Sequence, residues 1–144
     1  MIEQDTIKLL RECDAGIKMG VASIEDVIDD VKSEDLKKIL EKSIGHHQKL
    51  QDEMQILLDE YHDDGKNPNP MAKGMSFIKT EFKMAIDKSD ATIADLMTDG
   101  CNMGVKSLAR YLNEYKAADQ KSKDLAKKVI KIEEALAKDM QIYL

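Results

Sequence analysis

The chain has no tryptophan, two cysteines and two prolines, and aromatic residues fill only 4% of its 144 positions. Cys13 and Cys101 lie far apart with no CxxC pairing, which leaves reduced, cytoplasmic thiols as the expectation. No segment approaches the roughly 20 consecutive apolar residues that cross a bilayer, so no membrane insertion is expected. The first residues include Glu3 and Asp5 in place of a basic stretch followed by an apolar run, so no signal peptide is expected either. Positive charge is in deficit, with 22 Lys and Arg against 28 Asp and Glu and a formal net charge of −6. Nucleic acids and anionic membranes reward a basic surface, and neither is an expected partner. A P-loop, a glycine-rich dinucleotide fingerprint and a Ser-His-Asp order are all missing.

What is present is 35% charged and 42% hydrophobic residues with nine methionines, the composition of a soluble helical protein. Residues 1–144 fit one domain, long enough to bury a core. Charge is unevenly spread. Residues 1–64 carry 17 acids and 8 bases, net −9, whereas residues 65–144 carry 11 acids and 14 bases, net +3. The two parts should attract, across a bundle or between subunits.

Four long helical patterns run along the sequence. The first spans about Glu3 to Asp30. Ser33 then reads as an N-cap, with Glu34 and Asp35 in the first turn of a second helix that reaches Tyr61 or His62. The stretch Asp63-Asp64-Gly65-Lys66-Asn67-Pro68-Asn69-Pro70 ends it, with a glycine suited to a helix C-terminus and then both prolines. Helicity resumes at Met71 and nothing clearly interrupts it before Tyr115. A single helix of that length would be about 67 Å long beside neighbours of about 42 Å, which cannot pack compactly. A break near Asp87-Lys88-Ser89-Asp90 resolves the mismatch, with Ser89 or Asp90 as a new N-cap. Residues 71–87 then form a short crossover helix, residues 90–116 the third main helix, and about Ser122 to Tyr143 the last. The expected fold is all-α, an antiparallel four-helix bundle with a long crossover between its second and third helices.

The inward rows of these helices carry polar intruders. Leu36, Leu40, Ser43, His47, Leu50, Met54, Leu57 and Tyr61 recur at spacings of three and four, the mark of a buried helical seam with an imidazole at its middle. The first helix has Leu10, Asp14, Ile17, Val21, Ile24, Ile28 and Val31. The third offers Ile93, Leu96, Gly100, Met103, Ser107 or Leu108, and Tyr111; the last offers Leu125, Val129, Ile132, Leu136, Met140 and Tyr143. Bundles build metal and cofactor sites from inward polar residues on facing helices. His47 is therefore either a metal ligand or a buried histidine hydrogen-bonded to Ser, Asp or water. Asp14 pairs with His47 or a lysine, or it turns outward so that Cys13 faces in. Glu133 flanks its seam within reach of a central site, with His46 as a further candidate ligand, while Glu134 faces out.

Other residues fit plainer roles. Cys101 reads as core packing, since a reactive thiol needs a basic neighbour or a helix N-terminus. Gly100 and Gly104 inside a helix call for a compensating close helix approach, or for room for a ligand. The methionines are adaptable core filler. Lys121, Lys123, Lys127, Lys128 and Lys131 form a basic face, and His62 lies on the surface.

The Leu9-to-Leu57 helical pair, the connection from Asp63-Asp64-Gly65 to Gly74 and the stretch from Cys101-Asn102-Met103-Gly104 to Tyr111 together resemble the ferritin-like superfamily, and more narrowly its small bacterial four-helix domains. A single long crossover separates that layout from simple up-down bundles. The resemblance implies a glutamate on each of two helices and a Glu-x-x-His on each of the other two. This sequence departs from that set. Ser43 and Ile44 stand three residues before His46 and His47. Asn102 and Val105 replace an acidic pair about Gly104, Leu136 and Ala137 follow Glu133 and Glu134, and Asp14 stands where a glutamate is expected. The expectation is a ferritin-like bundle without a complete di-iron set, a binding or self-associating protein rather than an enzyme. A homodimer is favoured, a protein partner is a second option, and no cofactor is expected. The alternative is a metal-binding or redox protein holding iron, manganese or zinc at an altered site of His47, Asp14, Glu133 and His46. A third option, an amphipathic scaffold, rests on Phe77, Ile78 and Phe82 of the crossover.

Overall fold

The computed structural model describes residues 2–68 and 87–144. The expected crossover helix and its Phe77, Ile78 and Phe82 lie outside these residues. Four α-helices make up the described structure: α1 (Ile2–Val27), α2 (Glu34–Glu60), α3 (Asp90–Glu114) and α4 (Gln120–Met140). Short 3-10 turns, Ile28–Asp30 and Gln141–Tyr143, extend α1 and α4.

Local chemistry sets the boundaries. Ser33 caps α2 by accepting from the Leu36 amide, and Ser89 caps α3 by accepting from the Thr92 amide, each satisfying one of the donors that a helix start leaves open. Asp119 caps α4 through the Ser122 amide at 2.8 Å, so that helix starts before the expected Ser122. Beyond α2, Gly65 has φ +84° and its amide is held by Asp63 at 2.9 Å. A side chain there would drive into the Asp14 carboxylate.

Hydrogen bonds between the ends fix the helix directions. Asp5 and Thr6 at the start of α1 accept from the amides of Ala117 and Asp119, and Arg11 is paired with Asp63 just past α2. At the other end, Asp90 at the start of α3 accepts from the amides of Lys32 and Ser33 at 2.8 and 3.0 Å. Thus α1 and α4 run one way and α2 and α3 the other. α1 and α4 each pack against both α2 and α3, and they also touch each other across the diagonal.

The core forms two apolar clusters. One gathers residues such as Leu9, Ile17, Met54, Leu58, Leu125 and Val129; the other gathers Ile24, Leu36, Leu40, Ile93, Leu136 and Met140. Each fully buried aliphatic side chain of this kind contributes about 1.5–3 kcal/mol. Between the clusters, the bundle carries Gly20 on α1, Ser43 and His47 on α2, Gly104 on α3 and Glu133 on α4.

The inward rows differ from expectation by small rotations. α2 keeps its seam, except that Leu58 rather than Leu57 is buried in the last turn. On α1, Cys13 and Asp14 are both buried and Val21 is only partly covered. On α3, Met97, Cys101 and Leu108 face inward while Gly100 and Met103 are exposed. On α4, Glu133 takes the buried place expected for Ile132. Periodicity locates a seam to within about one residue of rotation, and neighbouring helices then choose the face.

Candidate functional site

The layer between the two clusters centres on one contact. His47 is fully buried, and its Nε2 lies 2.6 Å from Glu133 Oε1. Its Nδ1 lies 2.7 Å from the Ser43 carbonyl oxygen. A carbonyl only accepts, so Nδ1 carries a hydrogen and Nε2 shares a proton with Glu133. Burial alone would lower the His47 pKa. The hydrogen bond and negative charge of Glu133, with help from the Ser43 carbonyl, outweigh that effect and raise it.

Gly20 is what allows the contact. A Cβ at that position would lie 2.8 Å from His47 Nε2 and 3.3 Å from Glu133 Oε1. On the other side, a Cβ at Gly104 would meet Glu133 Oε2 at 3.6 Å, an ordinary contact. The carboxylate is thus held between bare backbone of α1 and α3. The Cys101 thiol lies against it, and burial followed by the charge of Glu133 raises that thiol's pKa strongly. Cys13 is likewise pushed up to about 12 by burial. Neither thiol is set up as a nucleophile.

Above Glu133 a cavity of about 310 Å³ opens between α1 and α3. Gly16 and Gly20 line one wall and Gly100 and Gly104 the other, with Met19 and Met103 also on it and Val129 and Glu133 beneath. Added Cβ atoms at Gly16 and Gly100 would meet nothing within 4 Å among the described residues. One end is lined by Tyr111, Glu12 and Lys66, with Lys66 Nζ 2.6 Å from Glu12. The Glu12 contact raises the Lys66 pKa, and burial followed by Glu12 raises that of Tyr111. The dimensions and mostly apolar lining are those of small-molecule sites, which combine apolar walls with a few polar groups.

The residues singled out from sequence divide into two groups. His47 and Glu133 meet. Asp14 is buried but serves the turn after α2: its Oδ2 takes Lys18 Nζ at 2.8 Å and the Lys66 amide at 3.0 Å. His47 faces Gly20, about 9 Å further along α1 at 1.5 Å per residue. His46 and Glu134 are exposed. Among the described residues, no group of three or more His, Cys, Asp and Glu is placed to hold a metal ion. Gly16 and Gly20 were not singled out from sequence, and Met19, read there with the other methionines as core filler, is only partly buried and lines the cavity. A signal existed in the matched spacing of Gly16-x-x-x-Gly20 and Gly100-x-x-x-Gly104.

Compared with protein-family models, curated proteins and solved structures, the chain matches none. Among the described residues no helix is long and apolar enough to cross a membrane.

Proposed function

We propose that this chain is a non-catalytic binding protein on a ferritin-like bundle, taking a small molecule in the cleft between α1 and α3. The observation that carries the reading is a cavity of about 310 Å³ with the buried Glu133 at its floor and two glycines on each of its facing walls. Parallel α2 and α3 joined by a long connection suit the ferritin-like layout. His47 and Glu133 occupy the mid-bundle layer where such bundles keep their metal, and here they stabilise each other. A cytoplasmic homodimer fits the reduced thiols and the opposed charge of the two parts of the chain.

A second reading has its own support: His47 Nε2 and Glu133 at 2.6 Å are two metal-type donors already side by side. One experiment separates the two. Backbone amide spectra of the isotope-labelled protein are recorded against a panel of apolar and aromatic fragments, then against Zn²⁺ alone. Fragment-induced shifts clustered at Gly16, Gly20, Gly100 and Gly104 are expected; shifts scattered over the surface sink the cleft reading. Stoichiometric Zn²⁺ shifts of the amides around His47 and Glu133, lost in His47→Ala, would move the function to the metal.

A further inference from the structure

The cleft is specific enough to say what kind of molecule it takes. On the reading above, on which this inference rests, we infer that the ligand is a flat, uncharged ring system carrying an N–H or O–H donor that meets Glu133. Three observations lead there.

The first is shape. Gly16 and Gly20 on α1 and Gly100 and Gly104 on α3 give each wall stretches of bare backbone, and Ala15, Ser23 and Ser107 beside them add only small side chains. A slot between such walls suits a planar body. It extends about 10 Å along α1 from Gly16 to Ser23 at 1.5 Å per residue.

The second is the chemistry of the rim. Met19 and Met103 both line the cavity, and Met103 is 68% exposed. Thioethers are adaptable and make favourable contacts with aromatic rings. Both thioethers are therefore placed to contact a ring held in the cleft.

The third is charge and hydrogen bonding. An ionised carboxylate has about four acceptor positions. Among the described residues, Glu133 receives His47 and the weak donor thiol of Cys101. It is 7% exposed and lines the cavity, so it retains acceptor capacity beside open space. Its carboxylate already takes the His47 Nε2 at 2.6 Å, a contact that favours the protonated imidazole, and Glu12 at the cavity end is matched by Lys66. A further full charge would enter without a counter-charge, which burial penalises heavily. A neutral donor meets the need without that penalty.

The test uses two probes, 2-naphthol and its O-methyl ether, 2-methoxynaphthalene. The chain lacks tryptophan, so probe fluorescence excited beyond the tyrosine band reports binding without protein background. The expected result is saturable binding of 2-naphthol, tighter than its ether by about tenfold or more, as a hydrogen bond to a charged group implies. Glu133→Gln should shrink that ratio several-fold. Gly16→Leu with Gly100→Leu, at positions where an added Cβ meets nothing within 4 Å among the described residues, should abolish binding while circular dichroism stays helical. Equal affinity for the two probes, or an unchanged ratio in Glu133→Gln, overturns the donor assignment while leaving the cleft reading intact. No binding of either probe, or undiminished binding in the doubly blocked variant, overturns both.

Discussion

His47 and Glu133 form the one buried charged pair that spans α2 and α4 among the described residues, and its energetics are asymmetric. The mutual attraction offsets the cost of removing two charges from water, so the intact pair contributes little net stability. Removing one partner leaves the other charge buried and alone. His47→Ala should therefore destabilise the fold by about 3–5 kcal/mol. His47→Leu combined with Glu133→Leu, apolar residues of similar volume, should lose far less than either single change. Urea unfolding of the two single variants and the double would show this as a large coupling energy; additive losses would mean the pair acts as two independent residues. Asp14, equally buried, draws its compensation from Lys18 and the Lys66 amide, which makes it a clasp for the chain leaving α2.

At the scale of the helix, glycines are the informative residues because an interior glycine costs up to about 1 kcal/mol relative to alanine. Gly45 on α2 is exposed with nothing within 4 Å of an added Cβ among the described residues. Gly45→Ala should stabilise by roughly 0.5–1 kcal/mol. Gly20→Ala carries the same propensity gain, but its Cβ would lie 2.8 Å from a fully buried imidazole. Overpacking of that kind typically costs about 1–3 kcal/mol, so the net change should be destabilising. Thermal denaturation of both variants checks the pair of signs. A stabilising Gly20→Ala would mean that the His47 ring moves freely, and the layer would lose its claim to rigidity.

For the whole molecule, the central layer couples stability to pH. The His47 pKa is raised in the folded state above its ordinary 6.5, so folding favours the protonated imidazole. The pair's contribution is complete below pH 6.5 and is lost as pH rises through the raised folded value. Global stability should therefore decline above neutrality, and His47→Gln should flatten the dependence. Urea midpoints between about pH 6 and pH 8 read this directly, short of the range in which free thiols ionise. A wild-type profile as flat as that of the variant would refute the linkage. The helix directions matter at the same scale. With α2 and α3 parallel, every pair of adjacent helices is antiparallel, and the polar layer falls at one height on all four.

Much of this was legible in the sequence because it is local. The serine caps Ser33 and Ser89, the break at Gly65 and apolar spacings of three and four depend on neighbours within a turn or two, and they placed four helices and an inward His47. Helix rotation and pairing are not local. They follow from how the faces of four helices share two cores, and only the tertiary structure put Glu133 rather than Ile132 inward on α4. The same packing gave His47 to Glu133 and Asp14 to the turn after α2. It also turned Gly100 and Met103 outward, because two facing glycine pairs leave a cleft where larger side chains would have closed the bundle.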